Sequence, residues 1–202
     1  MEQRLRRLAS WLLVAVLVLP LISGCGKVDT KGLPEGVFAS LQESVEATGK
    51  HYTQEGRQSP GKLREIVHFE HVGNVYFVLA RLQNGSLLVV IEPDGARYKF
   101  QVPISMVGVP TRPQAAVIPA SMVGNRVVEA AGKQWIVAYG NVWEGKVVQV
   151  ALVTEPPTSV RGVASLKGFL VVGEVASNVA VKGIKCFDKD GREIEAQTVA
   201  PR

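Results

Sequence analysis

The chain has 202 residues, with 23 basic and 18 acidic side chains and a formal net charge of +5. Arg4, Arg6, Arg7 and Glu2 lie in the first 24 residues, so the remaining 178 carry 20 basic groups against 17 acidic, a net of only +3. That length suffices for one ordinary domain or two small ones. Neither a basic run nor interleaved aromatics points to a nucleic-acid partner.

The N-terminus has the layout of a secretory signal: a cationic stretch, the apolar run Trp11 to Leu19, a helix-breaking Pro20, then small residues. Trp11 to Ile22 is 12 residues, about 18 Å as a helix, which is short of the roughly 20 residues a membrane span needs. Ile22-Ser23-Gly24-Cys25 places a cysteine where an ordinary secretory signal has a small residue at its cleavage site. The tetrapeptide resembles the lipobox of bacterial prolipoproteins, an aliphatic residue, a small one, Gly or Ala, then Cys. The resemblance implies cleavage between Gly24 and Cys25 and acylation of the Cys25 thiol. Two or three acyl chains there, at about 0.8 kcal/mol per buried methylene, would hold the protein on a membrane. The expected location is the extracytoplasmic face of a bacterial membrane. With Cys25 acylated, Cys186 has no intramolecular partner, and its alternating segment Ile184-Lys185-Cys186-Phe187 reads as a buried apolar position.

After a tether over residues 25–35, Gly36 to Thr48 reads as a helix, with Val37, Leu41, Val45 and Thr48 on one face and Gly49 as the C-cap. Thr53 to Lys62 reads as loop. Strands are then expected at Glu65 to His71, Val75 to Gln83, Ser86 to Glu92 and Arg97 to Val102. Asn84-Gly85 between apolar runs predicts a type I′ hairpin turn, and Pro93-Asp94-Gly95 a second turn. Val75 to Leu82 and Leu87 to Ile91 are apolar on both faces, which predicts a sheet covered on both sides, one of them by the helix. These elements make up a helix-plus-meander unit over residues 36–102.

Pro103, Pro110, Pro113 and Pro119 argue against regular structure between them. Residues 103–125 are therefore the expected connection. Within it Pro103-Ile104-Ser105-Met106-Val107-Gly108 nearly repeats as Pro119-Ala120-Ser121-Met122-Val123-Gly124, which could place two equivalent strands or turns or be coincidence. Seven strands follow over residues 126–202: Arg126 to Ala130, Gln134 to Val142, Lys146 to Val153, Ser159 to Ser165, Phe169 to Val175, Val179 to Phe187 and Arg192 to Thr198. Their turn spacing predicts an immunoglobulin-like β-sandwich or small barrel. The fold class is thus mainly β, with one N-terminal helix on an antiparallel meander followed by the sandwich. Tyr139-Gly140-Asn141-Val142 and Asp188-Lys189-Asp190-Gly191-Arg192-Glu193 resemble the opening strand and closing hairpin of a module in uncharacterised lipoproteins of Gram-positive-type bacteria. That resemblance implies a β-sandwich at the cell surface and carries no activity.

Few residues group in a way that suggests chemistry. His68 and Glu70 share one face of a strand and His71 the other, with His51 upstream, so at most two ligands could meet on one metal, fewer than zinc needs. No metal site or cofactor is expected. Asp188-Lys189-Asp190-Gly191 is a fragment of a calcium loop without the downstream ligand spacing, and reads as a hairpin turn. Ser59-Pro60-Gly61-Lys62 matches Ser-x-x-Lys, but Pro60-Gly61 makes a poor helix start. Trp135, Tyr139 and Trp143 would face one side of a regular strand, either as sandwich core or as a stacking row for a glycan or peptide. The leading functional expectation is a lipid-anchored cell-envelope protein with a non-catalytic binding or structural role. Its expected partners are the membrane, through lipid on Cys25, and an envelope protein or glycan. The alternatives are a solute- or glycan-binding lipoprotein, and a small hydrolase or metal-dependent enzyme using His68, Glu70 or Asp188.

Overall fold

The computed structural model describes residues 28–101, 104–107, 119–176 and 179–194, the short piece 104–107 by its backbone only. Gly24 and Cys25 lie outside the described residues. Among the described residues the fold is mainly β, with one helix followed by antiparallel sheets, as the sequence led us to expect.

Helix α1 spans Glu35–Gln54 and buries Val37, Leu41, Ser44, Val45 and Thr48 along one stripe. The buried hydroxyls are satisfied locally: Ser44 Oγ donates to the Leu41 carbonyl at 2.7 Å and Thr48 Oγ1 to the Ser44 carbonyl at 2.7 Å. Ser40 Oγ instead donates to the Tyr98 carbonyl at 2.8 Å, tying the helix to the sheet below. The helix runs through Gly49, contrary to the expected C-cap there. Its cap glycine is Gly56, at φ 70°, where Gly56 N–H bonds the Thr53 carbonyl and Arg57 N–H the Tyr52 carbonyl. This pair of bonds is a Schellman closure, which needs a left-handed residue just past the helix. Polar residues 50–54 carry no apolar signal, and the helix continues through them because nothing breaks the backbone pattern until Gly56.

The first sheet contains β1 (Leu63–Val72), β2 (Val75–Leu82), β3 (Gly85–Asp94), β4 (Arg97–Phe100) and β5 (Ile104–Val107). Strands β1 to β4 form a meander, and β5 pairs with the same edge of β3 that β4 occupies further along. The β2–β3 hairpin forms, but its tip is Gln83-Asn84, and neither residue has positive φ. An external anchor replaces the type I′ geometry: Gln83 and Asn84 donate their N–H groups to the Lys62 and Pro60 carbonyls, both at 2.9 Å. The two-residue tip with both φ values positive is instead Ala131-Gly132, at 50° and 72°.

The second sheet contains β6 (Ala120–Ala130), β7 (Lys133–Val142), β8 (Gln149–Glu155), β9 (Arg161–Ser165), β10 (Gly168–Glu174), β11 (Ala180–Phe187) and β12 (Glu193–Ile194). Their order is β12-β11-β8-β9-β10-β7-β6, antiparallel throughout. All seven strands belong to one continuous ladder, where an immunoglobulin unit divides its strands between two sheets. The ladder coils until β6 and β11 approach one another, so one face makes a core with itself. Gly162 permits the tight coiling, since a Cβ there would lie 2.0 Å from the Leu170 carbonyl oxygen.

Strand β6 begins at Ala120, six residues before the expected Arg126, and Ile104–Val107 is a strand inside the stretch expected to be irregular. Both copies of the near-repeat are therefore strands, one on the edge of each sheet. Pro119 stands just before β6, where a missing N–H costs no ladder bond.

Three apolar clusters make the layers. Between α1 and the first sheet lie Val37, Leu41, Tyr76, Val78, Ala80, Leu87 and Val89. Between the two sheets lie Val75, Phe77, Leu79, Leu88 and Val90 against Trp135, Val137, Tyr139 and Leu170. Inside the coiled sheet lie Ile136, Ala138, Phe169, Val171, Val150 and Cys186. Strands β2, β7 and β10 therefore bury both faces, alternate residues serving different clusters. Phe77 is fully buried with its ring 5.5 Å from that of Trp135. Phe77→Ala should cost about 3–5 kcal/mol, read as a lower urea midpoint. Because the sheets share this cluster, tryptophan fluorescence and far-UV circular dichroism should report one coincident transition. Two separated transitions would contradict the shared core.

Candidate functional site: a groove and a charged seam

The structure disperses most of the residues singled out in the sequence. Trp135 and Tyr139 are 4% and 5% exposed and sit between the sheets, so they are core, not a stacking platform. Trp135 Nε1 spends its hydrogen on the Ala130 carbonyl at 3.1 Å. Trp143 lies past the end of β7, half-buried, and donates to Ser121 Oγ at 3.3 Å. The aromatic row thus breaks where the strand ends.

The histidines go three separate ways. His51 pairs with Glu55 on the exposed side of α1 at 3.3 Å, and the His71 ring stacks on Tyr76 at 4.1 Å. His68 enters the contact between the sheets. Among the described residues no three His, Cys, Asp or Glu side chains gather as metal ligands. Asp188 Oδ1 accepts the Asp190 and Arg192 N–H groups, both at 2.9 Å, and so closes its own hairpin. Ser59 Oγ accepts the Gly61 N–H at 3.2 Å, a turn contact. Cys186 is fully buried, and its thiol is pushed up to about 11 by burial and by the carboxylates of Glu144 and Glu193.

A polar seam that the sequence did not announce closes one end of the interface between the sheets. Register shifts in β1 between Leu63 and Glu65 and between Ile66 and His68 mark two irregularities. The second takes Val67 out of the ladder and leaves its carbonyl open, and Lys31 Nζ donates to it at 2.6 Å. Glu65 then meets two cations, Arg81 at 2.7 Å and Lys167 at 2.5 Å, one from each sheet. Arg81 also donates to the Lys167 carbonyl at 2.7 Å. Burial pushes the Glu65 carboxyl up. The Lys167 hydrogen bond and the charges of Arg81, Lys167 and Lys31 outweigh it, and the net shift is downward.

His68 Nε2 lies 2.9 Å from the Gly168 carbonyl and 3.2 Å from Ser165 Oγ. A carbonyl oxygen only accepts, so Nε2 carries the hydrogen. In that tautomer the ring aims no lone pair at Ser165, whose Oγ also accepts the Lys167 N–H at 3.2 Å. The pair is arranged as a brace between β1 and the β9–β10 turn, not as nucleophile and base. Burial lowers the His68 pKa from its ordinary 6.5, the Gly168 hydrogen bond partly offsets this, and the Lys31 charge lowers it further.

An open groove of about 560 Å³ lies on the outer side of the second sheet. Its walls are Ala151 and Leu152 of β8, the loop Pro157 to Val160, Arg161 of β9, Lys185 and Phe187 of β11, and Glu193 of β12. The Arg161 guanidinium sits 4.9 Å above the Phe187 ring and donates to Gln149 Oε1 at 3.3 Å. Lys185 and Glu193 pair at 2.9 Å across the β11–β12 edge. The loop is held by Thr154 Oγ1, which donates to the Pro156 carbonyl at 2.9 Å and accepts the Thr158 N–H at 2.8 Å. A cation resting on an aromatic ring beside the exposed Ser159 hydroxyl can hold a carboxylate or a polar chain lying along it. Sequence reasoning missed this groove because its residues come from four strands and a loop. The one local hint was the alternation that places Lys185 and Phe187 on the same face.

No protein-family model matches the chain, and no curated protein matches it.

The seam makes a pH-dependent prediction. The folded state holds His68 below its ordinary pKa, so the unfolded chain binds more protons as the pH drops. Its stabilising contribution is complete above about 6.5 and is lost as the pH falls below that value. The urea midpoint should therefore decline between pH 7.5 and pH 5, and His68→Gln should flatten the decline. An unchanged slope in the variant would remove His68 from the account.

Proposed function

We propose that this is a lipid-anchored cell-envelope protein with a non-catalytic binding or structural role, held at the extracytoplasmic face of a bacterial membrane. The observation that carries the reading is Ile22-Ser23-Gly24-Cys25 directly after an apolar run flanked by Arg4, Arg6 and Arg7. The chain downstream supports it. Lys31 is already bonded to β1 and Leu33 is already buried in the cluster under α1, so the fold starts within a few residues of Cys25. A lipid on that cysteine would be joined to the folded body by a short leash. The similarity of the Tyr139 to Val142 and Asp188 to Glu193 segments to surface lipoprotein modules agrees with this placement.

The groove favours a binding role over a purely structural one. Arg161 resting on the buried Phe187 ring, with exposed Ser159 on the rim and the Lys185–Glu193 pair beside it, offers charge and a hydroxyl together. An envelope peptide or glycan is the ligand class that fits such an open, mixed surface.

Cys25→Ser should abolish acylation and leave uncleaved precursor or protein shed into the medium. Metabolic labelling with a fatty acid, followed by membrane fractionation, checks this. A variant still processed and membrane-bound like the parent chain would overturn the anchor.

A further inference from the structure

Resting on the lipid-anchor reading, we propose that the β9–β10 corner is the face that lies against an anionic lipid surface. Three large apolar side chains are exposed there: Leu166 at 66%, Val163 at 54% and Val148 at 40%. The segments that carry them are neighbours. The Ala164 N–H bonds the Val148 carbonyl at 2.9 Å, Val163 lies opposite Gln149, and a Cβ on Gly145 would touch Leu166 at 3.6 Å. Leu166 sits at the tip of a two-residue turn, since Ser165 pairs with Gly168.

The charge beside this patch has the sign that anionic headgroups attract. Lys31, Arg81 and Lys167 surround Glu65, and with Asp29 beside Lys31 the seam next to Leu166 still keeps one net positive charge. Basic groups near an anionic leaflet contribute about 1 kcal/mol each.

The tether decides which side of the fold can reach the membrane. Lys31 is pinned to the Val67 carbonyl, and a Cβ on Gly168 would lie 3.4 Å from the Val67 side chain, so the tether meets the fold beside the β9–β10 turn. From Cys25 to Lys31 is six residues, which span about 20 Å at full extension. A lipid on Cys25 therefore keeps this corner, and not the far edge of the coiled sheet, next to the headgroups. Apolar tip, cationic flank and anchor point coincide at one place.

The test uses the full, lipidated chain reconstituted into vesicles of phosphatidylcholine with phosphatidylglycerol. Leu166→Cys and, separately, Val127→Cys are labelled with an environment-sensitive fluorophore. Val127 is a control of similar character, 41% exposed on β6 and aligned through Ile136 with Gly173, at the opposite end of β10 from the corner. Buried Cys186 stays unlabelled in the folded chain. Spin-labelled lipids should quench the label at 166 several-fold more than the label at 127, and the contrast should shrink on vesicles of phosphatidylcholine alone. Equal quenching at both positions in vesicle-bound protein would overturn this orientation while leaving the anchor intact. A chain that fails to associate with the vesicles would overturn both.

Discussion

Everything in this fold depends on burying both faces of the same strands. Strand β2 sends Tyr76, Val78 and Ala80 toward the helix, and Val75, Phe77 and Leu79 toward the second sheet. Strand β7 repeats the arrangement, with Trp135, Val137 and Tyr139 facing the first sheet and Ile136 and Ala138 facing the coiled interior. A fully buried aliphatic or aromatic side chain is worth about 1.5–3 kcal/mol, so these shared strands hold four apolar surfaces together in one stack. Hydrophobicity alone does not set the register of a strand that is apolar on both sides. In the observed register the neighbouring strand β1 places His68 against Gly168 and His71 on Tyr76.

The apolar interface between the sheets is closed at its ends by polar contacts. At one end stand Glu65, Arg81, Lys167 and His68. At the other, Glu92 accepts the Ala131 N–H at 3.1 Å and Gln101 donates to the Glu129 carbonyl at 2.6 Å. These contacts are partly solvated, and each exposed ion pair contributes little by itself. Their effect is positional: they use backbone groups at irregularities and turn tips, which the ladders leave open. Lys31 belongs to this set, and so the segment leading out of the proposed anchor is fastened to the same seam that joins the sheets.

The groove follows from a mismatch in width. The first sheet covers β6, β7 and β10 of the second, but the second continues through β9, β8 and β11. The outer face of that overhang is left without a covering layer. It carries Arg161, Lys185 and Phe187 along the groove and Val163 at the corner. A β-structure that buries its central strands twice must still leave its outermost strands half free, and the chain has placed its mixed polar and aromatic residues there.

The sequence by itself determined the class of structure, because period-2 alternation and the 3.6-residue stripe of α1 are local patterns. It also determined that β2 and β3 would be covered on both sides, and that Cys186 would be buried. The lipobox-like tetrapeptide could be read without any structure, since it is a pattern of four adjacent residues. Only the tertiary structure decided that Trp135 and Tyr139 face another sheet, that Gly56 and not Gly49 closes the helix, and that Ile104–Val107 pairs with β3. It alone assembled the seam from Lys31, Glu65, Arg81 and Lys167, and the groove from four strands and a loop. Residues so far apart in the chain carry no common local signal. Their meeting depends on strand order and on how far the second sheet coils, and both are set by packing between layers.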